Sequence, residues 1–348
     1  VDLAYKPNWP EARERLLAFW QMEIIDRPCI AVTAPLKPPR PLPDPLDYEA
    51  LWTDPDHVAQ SYDAAHEATY FGGEAMPATS LMVGYCFGYG APAHYGPETV
   101  WLDPIIDDWG TPPSLQVSED DLAWQRVQAV VRRCAEVSSG RWMTGWPNIH
   151  QPNDHLSLLR GTRDLCLDLV DRPDDVKRAL QQLRHGYYAM FERISDLLSG
   201  QEGSIGWLSL WCPHRRGVTL QSDFSCMLSP AMFEEFIAPE VEDMSEWFGG
   251  ATYHLDGPGA LQHLDRLLTI RGLHAIQWTP GAGQPQGLAW LDLYRRIQER
   301  GKGLIVFLGA DEVEPALREL KPEGLFIFTA APSPGEAEAI LERATLAV

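Results

Sequence analysis

The chain has 348 residues, 45% hydrophobic and 22% charged, and its 28 Lys+Arg against 49 Asp+Glu give a formal net charge of −21. That is ample chain for a large core, and the acidic balance argues against DNA or RNA binding, which needs basic surface to neutralise phosphates. No run approaches the ~20 consecutive apolar residues of a membrane span, which argues against a membrane role.

Residues 1–10 lack the basic and apolar regions of a signal peptide. Cysteines 29, 86, 134, 166, 212 and 226 are scattered, with no CxxC. In a chain this long they read as reduced thiols of a cytoplasmic protein.

In chain order, helical patterns fall at 9–22, 56–68, 119–138, 161–170 and 173–199, and an early strand at 28–33. The proline cluster at 34–46 fits neither helix nor central strand and reads as an extended surface excursion. Glycines, aromatics and prolines keep residues 70–117 irregular as well, so 34–117 forms an elaborate insertion near the N-terminus. A further strand is expected at 142–146.

After residue 200 a rhythm appears. Strand candidates near 205–211, 250–254, 273–278, 303–308 and 325–329 alternate with helices near 230–247, 259–268, 287–300, 311–320 and 334–346. Such alternation implies parallel strands joined by helical crossovers. The expectation is α/β: one TIM-type (β/α)8 barrel domain over 1–348, with a doubly wound open sheet as the alternative. No GxGxxG or GxxxxGK[ST] stands at a strand–helix junction, which disfavours a nucleotide site.

In a barrel the reactive groups stand where strands end. His254 and Asp256, two apart at a strand end, share one face and could hold a metal or work as an acid–base pair. The plainer reading is a turn-capping Asp256 and a hydrogen-bonded rim histidine. Asp223, in a QSDFS turn, is a candidate base or a turn residue.

Cys212 and His214 repeat the i, i+2 spacing but are more simply unrelated. The polar loop 148–154 could deliver His150 or Asp154 to the mouth, and Tyr253 and Gln277 stand at other strand ends. Trp211 and Trp278, beside polar strand ends, are candidate walls for a flat ligand.

Residues 223–240 (DFSCMLSPAMFEEFIAPE) and 253–260 (YHLDGPGA), with Asp26-Arg27-Pro28, resemble the uroporphyrinogen decarboxylase superfamily. The resemblance implies a TIM barrel with its site at the strand ends. True uroporphyrinogen decarboxylases carry an arginine-rich loop after the first strand; here that place reads Thr33-Ala34-Pro35-Leu36-Lys37, so porphyrinogen decarboxylation is rejected.

The corrinoid-linked methyltransferase branch is closer. It holds zinc with His-x-Cys and a later cysteine, where this chain has His254, Asp256 and no cysteine at 326–332. Resemblance to that branch implies a methyltransferase-like transfer to a small substrate, assisted by zinc or another divalent metal on His254 and Asp256. Any cobamide would arrive on a corrinoid or methyl-carrier protein. The alternatives are a metal-free acid–base lyase or decarboxylase and a non-catalytic binding barrel for such a carrier.

Overall fold

The computed structural model describes residues 3–346. Its centre is a seven-stranded sheet built from β1 (Cys29–Pro35), β2 (Thr69–Gly73), β3 (Gly217–Gln221), β4 (Gly250–Asp256), β5 (Leu273–Thr279), β6 (Gly303–Phe307) and β7 (Leu325–Ala330). The order is β2-β1-β7-β6-β5-β4-β3. Every pair is parallel except β1–β2. Helices flank it, so the architecture is mixed α/β and TIM-barrel-like.

Strand alternation sorts the side chains onto two faces. Val32, Leu220, Tyr253, Leu255, Ile276, Trp278, Leu304, Val306 and Ile327 belong to the larger apolar cluster, with Val241, Leu267, Ile297 and Ile340 of the outer helices. The other parity faces inward. Cys29, Ala31, Ala275, Ile305 and Phe326 form a second cluster with Trp9, Leu16 and Phe19 of the first helix, Trp9–Trp20. Cys29, His274 and Phe326 contact that helix through the Arg15 carbonyl, the Phe19 carbonyl and the Phe19 ring. The first helix therefore floors the inner space at the strand starts.

The segment between β2 and β3 departs from regular barrel pairing. The expected strand at 142–146 survives only as isolated parallel bridges, Ala78–Met143 and Leu81–Pro147. A Cβ on Gly145 would stand 2.1 Å from the Thr79 carbonyl oxygen, so only glycine permits this approach. The expected strand at 205–211 is instead two short antiparallel pieces, Ser204–Ile205 and Trp211–Cys212. Ser209, with φ 55°, lies in the reversal between them.

The 34–117 region is more ordered than its composition suggests. It contains helices Tyr48–Thr53 and Pro55–Glu67, strand β2, and a hairpin of Ala93–Tyr95 with Val100–Leu102. The expected helix at 230–247 is interrupted by a π-turn over Phe233–Ile237, just before Pro239. Proline lacks an N–H and its ring clashes with the carbonyl four residues back, and the wider turn absorbs both.

Glu240 on this helix is buried and accepts a 2.8 Å hydrogen bond from Asn153 Nδ2. Burial pushes its carboxyl up to about 7. A carboxyl whose folded pKa exceeds its unfolded value of about 4.3 contributes stability below that value, and loses it as pH rises through the folded one. Urea unfolding between pH 5 and 8 should therefore show a loss on the order of 2 kcal/mol that Glu240→Gln removes. An unchanged pH slope in the variant would refute this.

Candidate functional site

At the carboxyl ends of the central strands, three side chains meet. His254 and Asp256 lie on the inner face of β4, two residues apart. Asp223 follows the end of β3, and a 3₁₀ turn, Phe224–Met227, turns the chain just after it. One ligand atom from each of Asp223, His254 and Asp256 lies within 4.8 Å of the other two. An imidazole and two carboxylates at this spacing are a donor set for a divalent ion, harder and less thiophilic than a thiolate site. Among the described residues no cysteine joins them.

The imidazole is held by a partner across the sheet. Register places Gln277 of β5 beside His254, and His254 Nδ1 hydrogen-bonds to Gln277 Oε1. Gln277, fully buried, donates from Nε2 to Thr279 Oγ1 at 2.8 Å. With the amide oxygen facing the imidazole, Nδ1 is the donor in this hydrogen bond. A histidine held through Nδ1 in this way presents Nε2, the arrangement typical of a metal-binding histidine. The Trp207 ring meets His254 edge-to-face at 5.0 Å between centroids.

Asp223 is held from behind by residues 151–154. Asp154 accepts the backbone N–H groups of Asp223 (3.2 Å) and Phe224 (2.9 Å). Gln151 donates to the Thr219 carbonyl at 3.0 Å and accepts from the Gln221 N–H at 2.8 Å. Asn153 accepts from Ser222 Oγ at 2.6 Å. Together these residues restrain the chain from Thr219 to Phe224.

Although Asp223 reaches the open mouth, desolvation within the cleft raises its carboxyl; His254 opposes the shift and Asp256 adds to it. Burial, reinforced by Asp223, pushes Asp154 up to about 7. His150 stacks on Tyr85 at 4.5 Å, and burial lowers it to about 4. Both rings border a small cleft with Trp207 and Gln221.

The expected site residues thus divide. Asp223, His254 and Asp256 converge, Gln277 contacts His254, Asp154 contacts the loop carrying Asp223, and His150 lies beside that loop. Tyr253 and Trp278 take the opposite parity, each 1% exposed in the outer cluster, and Trp278 meets Trp290 rather than the mouth.

Trp211 is buried against Trp9 at 5.2 Å, on the strand-start side. His214 lies near Gly250, the first residue of β4, roughly 20 Å along the strand from Asp256. The structure therefore does not bring Trp211, His214, Tyr253 or Trp278 to the triad; the aromatic against His254 is Trp207. A cavity of about 670 Å³ opens among Trp9, Arg132, Ser138, Trp142, Leu198 and Gln201 and includes none of the triad.

No known sequence family matches the chain, and no curated protein matches it. Among solved structures it is similar to a methyltransferase from Methanosarcina mazei. The TM-score is 0.62 and the identity 13%, over 99% of this chain and 98% of that one. At that identity the likeness establishes a shared fold. No helix among the described residues is long and apolar enough to cross a membrane.

Proposed function

We propose that this chain is a cytoplasmic, metal-assisted enzyme that transfers a methyl-type group to or from a small substrate at the strand-end mouth. It would be a (β/α)8 barrel akin to the corrinoid-linked branch of the uroporphyrinogen decarboxylase superfamily, with any cobamide held by a separate carrier protein. The Asp223–His254–Asp256 convergence carries the reading, and the full-length likeness to a methyltransferase fold supports it.

Zinc or another divalent ion bound there would act as a Lewis acid, lowering the pKa of a thiol or water. The protein's own part is positional. Gln277 holds the imidazole through Nδ1 and would leave Nε2 for the ion. Asp154, Asn153 and Gln151 hold the loop that presents Asp223. Trp207 covers one side of the imidazole. The raised carboxyl of Asp223 favours a second reading, in which Asp223 and His254 exchange a proton with substrate without metal.

Elemental analysis of protein purified without chelator separates the two. The metal reading expects about one equivalent of divalent ion per chain, lost in His254→Ala. Wild-type protein that stays metal-free after resupply with zinc, cobalt and manganese would overturn it and leave the acid–base reading.

A further inference from the structure

The substrate-facing wall has a chemical bias that the triad does not explain. Phe307 is the last residue of β6 and is 51% exposed. Its parity matches Ile305 of the floor cluster, so it faces inward. It stacks on Phe328 of β7 with 5.0 Å between centroids and 18° between planes. Phe328 leans on Phe326 below it at 4.6 Å. A half-exposed aromatic backed by two further rings is a preformed apolar platform.

The platform lies along the same row of strand ends as the triad. Asp256 pairs in register with Thr279 on β5, β5 neighbours β6, and Phe307 pairs with Phe328. Two strand spacings separate Asp256 from Phe307, about 10 Å. That is the span of a bicyclic ring bearing one substituent.

Cationic side chains are missing from this wall. The sequence holds no lysine or arginine at 217–265, 272–294, 303–317 or 322–342, which cover β3 to β7 and the loops after them. None occurs at 41–125 either. The nearest cations after β1 are engaged elsewhere: Lys37 with Glu67 and Arg40 with Asp63. Carboxylates are present instead, at Asp223 and Asp256. An ion bound between those two would be balanced by them and engaged with the reacting heteroatom, leaving no counter-charge for an anionic group elsewhere on the substrate. A carboxylate, phosphate or sulfonate on the substrate would be desolvated with no counter-charge.

We infer that the substrate, on the functional reading above, is a compound without a permanent negative charge. Its flat apolar body lies on Phe307 and Phe328, and its reacting heteroatom points to His254 and Asp256.

The test compares 2-naphthylmethanol with 2-naphthoate, which share a ring system and differ in charge. Binding to wild type and to Phe307→Ala is followed by saturation-transfer NMR and by quenching of tryptophan emission. The alcohol should bind at least tenfold tighter than the carboxylate, and Phe307→Ala should weaken the alcohol at least fivefold. Equal or tighter binding of naphthoate, no binding of either compound, or an unchanged affinity in Phe307→Ala would each overturn the inference.

Metal content of the same samples keeps the two claims apart. Selective alcohol binding by protein that stays metal-free after resupply would sink the metal reading and leave this inference standing. Metal-loaded protein without the preference would do the reverse.

Discussion

Replacing Asp154 with alanine should, on the metal reading proposed above, weaken divalent-metal binding by roughly 10- to 100-fold, although Asp154 is not one of the three candidate ligands. Its carboxylate receives the N–H groups of Asp223 and Phe224, and truncation leaves both without an acceptor in a largely buried turn. Each such group costs about 1–3 kcal/mol. The cheapest relief is for the turn to move, and Asp223 moves with it.

Loss of a nearby negative charge would also lower affinity, so Asp154→Asn is the control. It removes the charge but keeps one acceptor, and should fall between wild type and alanine. Zinc affinity measured by competition with a chromophoric chelator, beside urea unfolding of each variant, gives both quantities. An alanine variant that binds as tightly as wild type would show that the clamp does not position Asp223.

The largest loss of stability should come from the other end of the strands. Glu74 is fully buried and accepts from both terminal nitrogens, Nη1 and Nη2, of the nearly buried Arg27 guanidinium, at 2.6 and 3.0 Å. It also accepts the Ile30 N–H at 2.8 Å and stands 3.5 Å from Arg15. Glu74→Ala leaves Arg27 as an uncompensated interior charge and should cost about 3–5 kcal/mol in urea unfolding.

An exposed pair such as Arg296–Asp265 should yield at most about 1 kcal/mol. Replacing Arg27 and Glu74 together by Met and Leu should be milder than Glu74→Ala alone, because no lone charge remains. A Glu74→Ala loss below about 1 kcal/mol would mean that water or relaxation reaches the guanidinium.

Much of the outer half of the molecule is legible in the sequence, because β4 to β7 are apolar runs separated by amphipathic helices. Strand parity alone places His254 and Asp256 together. The same parity, applied to Tyr253 and Trp278, sends them outward. The wall assignment fails there because large aromatics beside polar residues attract attention whichever way they point.

β3, Gly-Val-Thr-Leu-Gln, escapes a sequence reading because five mixed residues carry too little pattern. Without it, residues 205–211 look like one strand, when the chain reverses near Ser209. That reversal is why Trp207 and not Trp211 reaches His254. Gln277 stands out as a strand-end residue, but its grip on the imidazole depends on the β4–β5 register, which one sequence does not reveal. Phe307 carries a usable signal: an aromatic at a strand end, in phase with the small and apolar inward residues below it.

The first helix has a kinetic consequence. With Trp9, Leu16 and Phe19 packed against the strand starts, that end of the strands is filled by side chains, while Asp223 and Asp256 are exposed at the other. On the functional reading proposed above, a small substrate and a methyl carrier would both approach from that exposed side. A carrier docked there would stand across the small molecule's path, so the small molecule would have to enter before the carrier docks.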